Sequence, residues 1–494
     1  MAPSATSPGV VSKLNMAKDV RDGASGADGR RCLIDRSLNE IPYEVVGSKG
    51  NYLHMSSGHK IFDATGGAAV ACVGHGNREV REAMIDQMEV NSYCNSMLFT
   101  NSINGKLAQE IIQGTGNLMS RVYICSSGSE ATEAAMKMGR QYFCELSPPQ
   151  PQRTKYIARE HSYHGNTIGA LSLSGHVARR EAYTPILSEN ISWVSACNPY
   201  RQRLPNESDA SFVARKAAEL DNEFQRLGPD TVIAFVCEPI SGASLGCVPY
   251  VDGYLVAMKG VCRKYGALFV LDEIMSGMGR CGTLHAWQGE HVDGDPERDC
   301  LPDLQMIGKG LGGGYQPIAG VIAGKQYINA IKAGTGGIIH GQTYQAHPVA
   351  CAASLAVQRI IRRDNLLPNV VRQGAYLAQL LRSKIGSHPH VGDIRGKGLF
   401  WGVEFVRNKE TKEPFPKAWG VGGRVLDVAL KEPFNITFYP GQGTADGWVG
   451  DHIIVSPAYN VTKEDVELIT DKLAGILDIV FEQLAREGKN AAAN

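Results

Sequence analysis

Leu268-Phe269-Val270-Leu271-Asp272-Glu273-Ile274, followed after a loop by Leu304-Gln305-Met306-Ile307-Gly308-Lys309-Gly310-Leu311-Gly312-Gly313-Gly314, decides the fold. Each apolar run has the length of a strand and leads to an ionisable residue, a carboxylate in the first and an amine in the second. Uninterrupted apolar runs of this length suit strands buried on both faces of a parallel sheet. Asp272 and Lys309 then stand at carboxyl ends of strands, the edge where open α/β sheets place their ligands.

Taken singly, the two residues say little: a lone strand-end aspartate is more often a cap, and a lone lysine is usually a solvated head group. Delivered together to one crevice, they suit pyridoxal phosphate, which requires an amine for its aldehyde and an acidic partner for its pyridinium nitrogen. Two glycine patterns compete with that reading. Gly308-Lys309-Gly310-Leu311-Gly312-Gly313 and Gly277-Met278-Gly279-Arg280-Cys281-Gly282 both fit the dinucleotide fingerprint G-x-G-x-x-G. The first runs on into Pro317-Ile318-Ala319-Gly320-Val321-Ile322, which reads as a further strand, whereas the fingerprint must open a helix. A nicotinamide enzyme is therefore disfavoured.

A chain of 494 residues exceeds one ordinary core, so two domains with room for a buried site are expected. Lys plus Arg number 50 and Asp plus Glu 50, with the basic residues dispersed, which argues against nucleic acid as a main partner. The 12 cysteines form no C-x-x-C pair, and several, such as Cys125 and Cys237, lie inside apolar runs. That pattern fits reduced thiols in a cytoplasmic protein rather than disulfides or zinc, and no metal is expected. No apolar run approaches the roughly 18 to 20 residues of a membrane span. Residues 1–30, rich in Ser, Gly and Ala, lack a secretory core and read as a flexible arm, or one that packs on a partner subunit. Arg21, Arg30 and Arg31 leave a mitochondrial presequence as the alternative, against which stand Asp19, Asp22 and Asp28.

From Tyr52 to Asp63 the pattern is strand, turn, strand, and Arg78 to Glu89 reads as a helix with Val80, Met84, Ile85 and Met88 on one face. Arg121 to Cys125 is a strand that gives way to Ser126-Ser127-Gly128-Ser129 and a helix-forming run from Ala131 to Tyr142. N–H groups at such a helix start have no internal partner and bind anions, although Ser-Gly-Ser before a helix is more often ordinary capping. Tyr163 follows the strand-like Tyr156-Ile157-Ala158 and could lie flat on a planar cofactor, the commoner role of such an aromatic being core packing. Thr231 to Val236 is another buried strand, placing Glu238 at its end as a second carboxylate. Glu290 to Asp303, charged and carrying Pro296 and Pro302, reads as a solvated loop. A long helical pattern from Pro348 to Ile385 is interrupted near Asn365-Leu366-Leu367-Pro368. Strands follow at Leu399 to Val406 and His452 to Val455, then an amphipathic helix opened by Thr462 with Asp465 three residues on.

The ordered series Ser127-Gly128-Ser129-Glu130-Ala131, Tyr163-His164-Gly165, Glu238-Pro239, Asp272-Glu273-Ile274, Lys309 and Gly341-Gln342-Thr343-Tyr344 resembles the class-III pyridoxal-phosphate-dependent aminotransferases of fold type I. Gly74-His75-Gly76 and Arg395-Gly396-Lys397-Gly398-Leu399 extend the resemblance, which covers the chain from about Tyr52 to the last helix. It implies an α/β fold with a large domain, in which helices flank a mostly parallel seven-stranded sheet, and a smaller α+β domain built from both chain ends. The expected division is an arm over 1–30, the first part of the small domain over 31–85, the large domain over 86–355 and the rest of the small domain over 356–494.

The resemblance also implies roles. Lys309 would hold the cofactor covalently and shuttle a proton once freed, and burial beside a cationic ring favours the neutral amine this requires. Asp272 would pair with the pyridine nitrogen, and Gly128 and Ser129 would bind the phosphate through their N–H groups. Thr343 would be contributed to the neighbouring subunit of a homodimer with a shared site. Tyr163 and Ile274 would cover the two ring faces, and Glu238 matches a recurrent carboxylate beside them.

Relatives acting on ornithine or γ-aminobutyrate carry a Glu five residues after the position of Glu238 and an Arg just before the C-terminal Ala-Pro-Pro-like segment. Here those positions are Ala243 and Ile454, and Met275 replaces the Gln that usually follows the Asp-Glu-Val/Ile motif. Losing both charges together is self-consistent, because either alone in a pocket would be costly. The pattern is similar to amine:pyruvate (ω-) transaminases and implies transfer from a primary amine or ω-amino acid to a small 2-oxo acid by ping-pong kinetics. The alternative on the same scaffold is a decarboxylase, mutase or phospho-lyase. Candidate pocket residues are Tyr52, Tyr93, Phe99 and Arg395, the last as a carboxylate clamp or as a brace for the small domain.

Overall fold

A computed structural model describes residues 32–492, with side chains through residue 487. The expected arm over 1–30 lies outside the described residues. Seven strands form the large sheet: β1 (Met119–Cys125), β2 (Lys155–Arg159), β3 (Ile191–Val194), β4 (Val232–Cys237), β5 (Leu268–Asp272), β6 (Leu304–Ile307) and β7 (Ala319–Gly324). Their order across the sheet is β1-β7-β6-β5-β4-β2-β3. β7 runs antiparallel to both of its neighbours, and the remaining pairings are parallel.

The apolar runs are continuous because both faces of these strands are covered. Along β5, Leu268 and Val270 join the core formed with the helix Gly128–Glu145, whereas Phe269 and Leu271 join Phe212, Leu220, Leu255 and Met258 from the helices Asp209–Leu227 and Tyr254–Lys264. Register then fixes which strand ends coincide. Leu271 pairs with Cys237 and Asp272 with Met306, so Glu238 and the Gly308-Lys309 turn emerge at the same edge as Asp272. β1 delivers Ser126 to Ser129 to that edge as well, since Cys125 pairs with Ala319 at the start of the reversed β7.

Both ends of the chain build the remainder. Strands Val45–Lys49, Tyr52–Met55 and Lys60–Asp63 form a sheet completed by Ile436–Thr437, which pairs in parallel with Phe62 and Asp63. A second four-stranded sheet contains Val391–Lys397, Phe400–Phe405, Asp451–Val455 and Tyr439–Gln442. The final helix, Lys463–Ala492, begins with the reciprocal bonds expected of its sequence: Asp465 N donates to Thr462 Oγ1 at 3.2 Å and Thr462 N to Asp465 Oδ2 at 3.0 Å. Val466, Ile469, Leu473 and Ile476 are wholly buried in one core with Phe62, Val403 and Ile453. The long helical pattern after Pro348 divides into Pro348–Arg363 and Leu366–Ile385, broken at Asn365, whose φ of 51° is left-handed.

In the loop from Glu290 to Asp303, Asp293, Glu297 and Arg298 are exposed, in keeping with its reading as solvated, and Glu290 at its start departs from it. Glu290 is buried, and its carboxylate accepts the Val256 N–H at 3.4 Å in the first turn of Tyr254–Lys264, with burial raising its pKa. An acidic residue that looks like surface charge thus caps a helix remote in sequence.

Leu473→Ala, which removes a fully buried side chain from the core shared with Phe62, Val403 and Ile453, is expected to cost about 2–5 kcal/mol. Urea unfolding of the cofactor-free protein followed by circular dichroism checks this, and a shift within about 0.5 kcal/mol of wild type would contradict the assigned packing.

Candidate active site

Three strand ends and one helix start converge. The helix Gly128–Glu145 is capped by Ser127, whose Oγ accepts Glu130 N–H at 3.2 Å, while Glu130 Oε2 accepts Ser126 N–H at 2.9 Å. These bonds leave the Gly128 and Ser129 N–H groups at an open first turn, a ready anion site. The Tyr163-His164-Gly165 loop is laced to the same turn: Ser129 Oγ accepts Asn166 N–H at 2.9 Å, and Thr132 Oγ1 donates to His164 O at 2.6 Å. Glycine is required at 165, where φ is +136° and a Cβ would lie 2.7 Å from Ser129 Oγ.

Asp272 is buried with both oxygens engaged: Oδ1 accepts Ile274 N–H at 3.0 Å and Oδ2 pairs with His164 Nδ1 at 2.8 Å. A carboxylate only accepts, so the pairing places the imidazole proton on Nδ1. His164 Nε2 is buried with no partner among the described residues. Glu238 accepts the Tyr163 N–H at 3.2 Å and the Gly242 N–H at 2.9 Å, and burial raises its pKa. Ile274 lies between the helix start and the lysine turn. A Cβ on Gly128 would meet Ile274 Cδ1 at 3.0 Å, and one on Gly308 would meet Ile274 Cγ2 at 3.2 Å.

Lys309 follows in a left-handed backbone conformation, φ 42°, uncommon for a side chain of its size and a conformation found at sites where geometry is imposed. Burial lowers its pKa from 10.5 to about 8, with Arg179 and Arg280 pushing the same way and Asp272 and Glu238 opposing them. The donor set fits pyridoxal phosphate: an amine that can be neutral, a hydrogen-bonded carboxylate, a helix first turn whose Gly128 and Ser129 N–H groups are not taken by the cap, and an apolar side chain between the helix start and the lysine turn.

The class-III aminotransferase family model matches residues 33–477. The chain belongs to that family. An aminotransferase of Gibberella zeae is 49% identical over 460 residues, covering 93% of this chain and 88% of its own. The diaminobutyrate–2-oxoglutarate transaminase of Halomonas elongata is 33% identical, covering 93% and 96% respectively. An amine transaminase from an uncultivated Pseudomonas species, solved in its PLP-bound form, superposes with a TM-score of 0.82 at 27% identity, covering 90% of this chain and 97% of that one. The cofactor of this class-III aminotransferase is pyridoxal 5′-phosphate.

Within the aminotransferase, the two positions that depart from the Glu/Arg pattern meet in space with Met275. Ile454, fully buried, shares an apolar cluster with Ile240, Ala243 and Met275. Met275 Sδ lies 2.4 Å from where a Cβ on Gly242 would stand, immediately beyond the N–H held by Glu238.

Tyr52 packs edge-on against the buried Phe62 with ring centroids 5.2 Å apart, and Phe99 is 63% exposed. Tyr93 and Thr343 line a groove of about 1090 Å³ with Arg121, Tyr123 and His340, which Lys309 does not border. Arg395 is corrected from carboxylate clamp to brace: its buried guanidinium donates to Gly246 O at 3.0 Å and to Leu245 O, and ion-pairs with Glu404 at 2.6 Å and Asp393 at 3.0 Å. With its fork committed to protein acceptors, it has none to offer a substrate.

His164 and Arg179 are the site residues that the sequence reading passed over. His164 stood inside a quoted motif, and an ionisable ring beside a stacking aromatic is the signal that points to it. Arg179 has no local signature.

Because burial favours the neutral amine, the rate at which the cofactor-free protein takes pyridoxal phosphate onto Lys309, trapped with borohydride and located by peptide mass, should rise with pH and level off above about 8. A rate still climbing tenfold per unit at pH 10 would indicate an ordinary exposed lysine. Asp272→Ala should weaken cofactor retention and lower turnover by orders of magnitude, measured by dialysis and by steady-state rate.

Proposed function

We propose that this class-III aminotransferase moves an amino group from a primary amine or ω-amino acid to a small 2-oxo acid, pyruvate or 2-oxoglutarate, by a ping-pong mechanism. The observation that carries the donor class is the apolar cluster of Ile240, Ala243, Met275 and Ile454, which leaves no charge at these positions to receive a carboxylate on the reacting carbon. The similarity to a diaminobutyrate–2-oxoglutarate transaminase supports 2-oxoglutarate among the acceptors.

When bound, pyridoxal phosphate supplies an aldehyde and an electron-withdrawing ring. Lys309 Nζ, with its pKa near 8, takes up and returns a proton close to neutral pH, as a general base must. Asp272, held by Ile274 N–H and His164, would keep a cationic ring nitrogen protonated. The Gly128 and Ser129 N–H groups would hold the phosphate, with Tyr163 and Ile274 as walls on either side.

A homodimer with a shared site is part of the proposal. Thr343 is exposed in the groove with Tyr93, and Met97, Leu98, Phe99, Ile339 and Tyr344 expose large apolar surfaces nearby in sequence, which supports burial against a second copy. Twelve free cysteines support a reducing compartment, and we assign the protein to the cytoplasm. Among the described residues, no helix is long and apolar enough to cross a membrane.

Stopped-flow spectra of the holoenzyme should show cofactor absorbance bleaching when a primary amine is added without acceptor, then returning on addition of pyruvate or 2-oxoglutarate. No bleaching with any amine overturns transamination, and carbon dioxide or phosphate released without acceptor would identify a decarboxylase or phospho-lyase instead. Lys309→Ala should abolish the response with the fold intact. Light scattering should give twice the chain mass, and a monomer would overturn the shared site.

A further inference from the structure

The chain just beyond Glu238 is a hairpin held at its base and at its tip by different parts of the molecule. Ile240 pairs with Pro249 and Ser241 with Val248, and the tip closes on itself, with the Gly246 and Cys247 N–H groups donating to Gly242 O at 2.9 and 3.2 Å. At the base, Glu238 accepts the Gly242 N–H at 2.9 Å and the Tyr163 N–H at 3.2 Å, so the hairpin and the Tyr163 loop share one carboxylate. The tip is gripped from the carboxy-terminal sheet. Arg395 donates from Nε to Gly246 O at 3.0 Å and from Nη2 to Leu245 O. Gly402, on the adjoining strand, makes room for the same carbonyl, since a Cβ there would stand 2.1 Å from Gly246 O.

Arg395 is held in turn. Its Nη1 lies 2.6 Å from Glu404 Oε2 and 3.0 Å from Asp393 Oδ2, and Glu404 Oε1 accepts from Arg201 Nε at 2.7 Å. Glu404 is wholly buried on the strand Phe400–Phe405, and Arg201 belongs to the turn Pro199–Gln202 that follows β3. The path thus leaves the large sheet at Arg201, crosses to Glu404 and Arg395, and returns to the large sheet at the hairpin after β4.

A buried ion cluster adds little stability, because desolvation of each charge offsets the attraction between them. What it supplies is direction: a planar guanidinium whose fork is shared among two carboxylates and two carbonyls is set in one orientation. With glutamine at 404, two arginines would share one neutral amide. Arg395 would follow Asp393, its remaining and partly exposed partner, and lose the pull that keeps its fork on the hairpin carbonyls.

We infer that Glu404 is a positioning residue for the cofactor crevice: acting through Arg395, it fixes the hairpin 240–249 and thereby the Glu238 carboxylate that holds Tyr163.

Hydrogen exchange of the cofactor-free protein, read by mass spectrometry on overlapping peptides across 238–250 and 463–487, tests this. Glu404→Gln should speed exchange of the Gly242, Gly246 and Cys247 N–H groups at least about tenfold while the final helix keeps its wild-type rates. Glu404→Asp, which retains the charge, should recover part of the protection. In the holoenzyme, Glu404→Gln should also change the visible circular dichroism of the bound cofactor, which reports its fixed surroundings. Arg201→Gln, which leaves Glu404 paired with Arg395, should move both readouts the same way by less. Unchanged exchange in the hairpin, exchange raised equally in the final helix, or a loosened hairpin with an unchanged cofactor spectrum would each overturn the assignment. Should Glu404→Gln not fold, Arg201→Gln decides by the same criteria. Neither readout needs an amine, so a failure of transamination and a failure of this inference are told apart.

Discussion

The parallel register of β4, β5 and β6 is the constraint on which the site depends. Leu271 opposite Cys237 and Asp272 opposite Met306 place three strand ends at one level, and the residues just beyond them are two carboxylates and an amine. Because side chains alternate between sheet faces, a slip of one residue in β5 would turn Asp272 away and exchange Phe269 and Leu271 for Leu268 and Val270 in the two cores. Packing on both faces therefore enforces the chemistry at the edge, and the catalytic register is as secure as the hydrophobic one.

Desolvation sets the character of what the register assembles. Burying an amine favours its neutral form and burying a carboxylate favours its protonated one, and the two tendencies oppose the attraction between them. Lys309 follows burial, with its pKa falling to about 8, and Glu238 follows it upward. Asp272 is engaged at both oxygens, by a backbone N–H and by an imidazole. Neighbouring Glu273, buried on the other side, holds the Ala286 and Trp287 N–H groups at 2.6 and 3.0 Å, and its pKa is pushed up to about 7 by burial. Adjacent acids in one motif thus divide into one that faces the crevice and one that fastens the following loop.

Residues whose meaning is carried by neighbours in sequence were legible before the structure. The strand ending at Asp272, the turn before Lys309, the serine-capped helix at Gly128 and the box at Thr462 each depend on contacts within a few positions. What stayed hidden depends on chain remote in sequence. Glu290 caps a helix whose first turn lies more than 30 residues earlier, and Arg395 is consumed by a loop near residue 245. Charge in a sequence says that a partner is needed but not which one.

The pairing of Ile436–Thr437 with Phe62 and Asp63 has a bearing on synthesis. Strands that open the chain cannot complete their sheet until the ribosome has released more than 400 residues, whereas every strand of the large sheet lies between residues 119 and 324. The long gap in sequence makes that closure a late contact. During elongation the growing polypeptide carries an unfinished amino-terminal ribbon while every strand of the large sheet is already made, and that ribbon keeps an unpaired edge until the last quarter of the chain is translated.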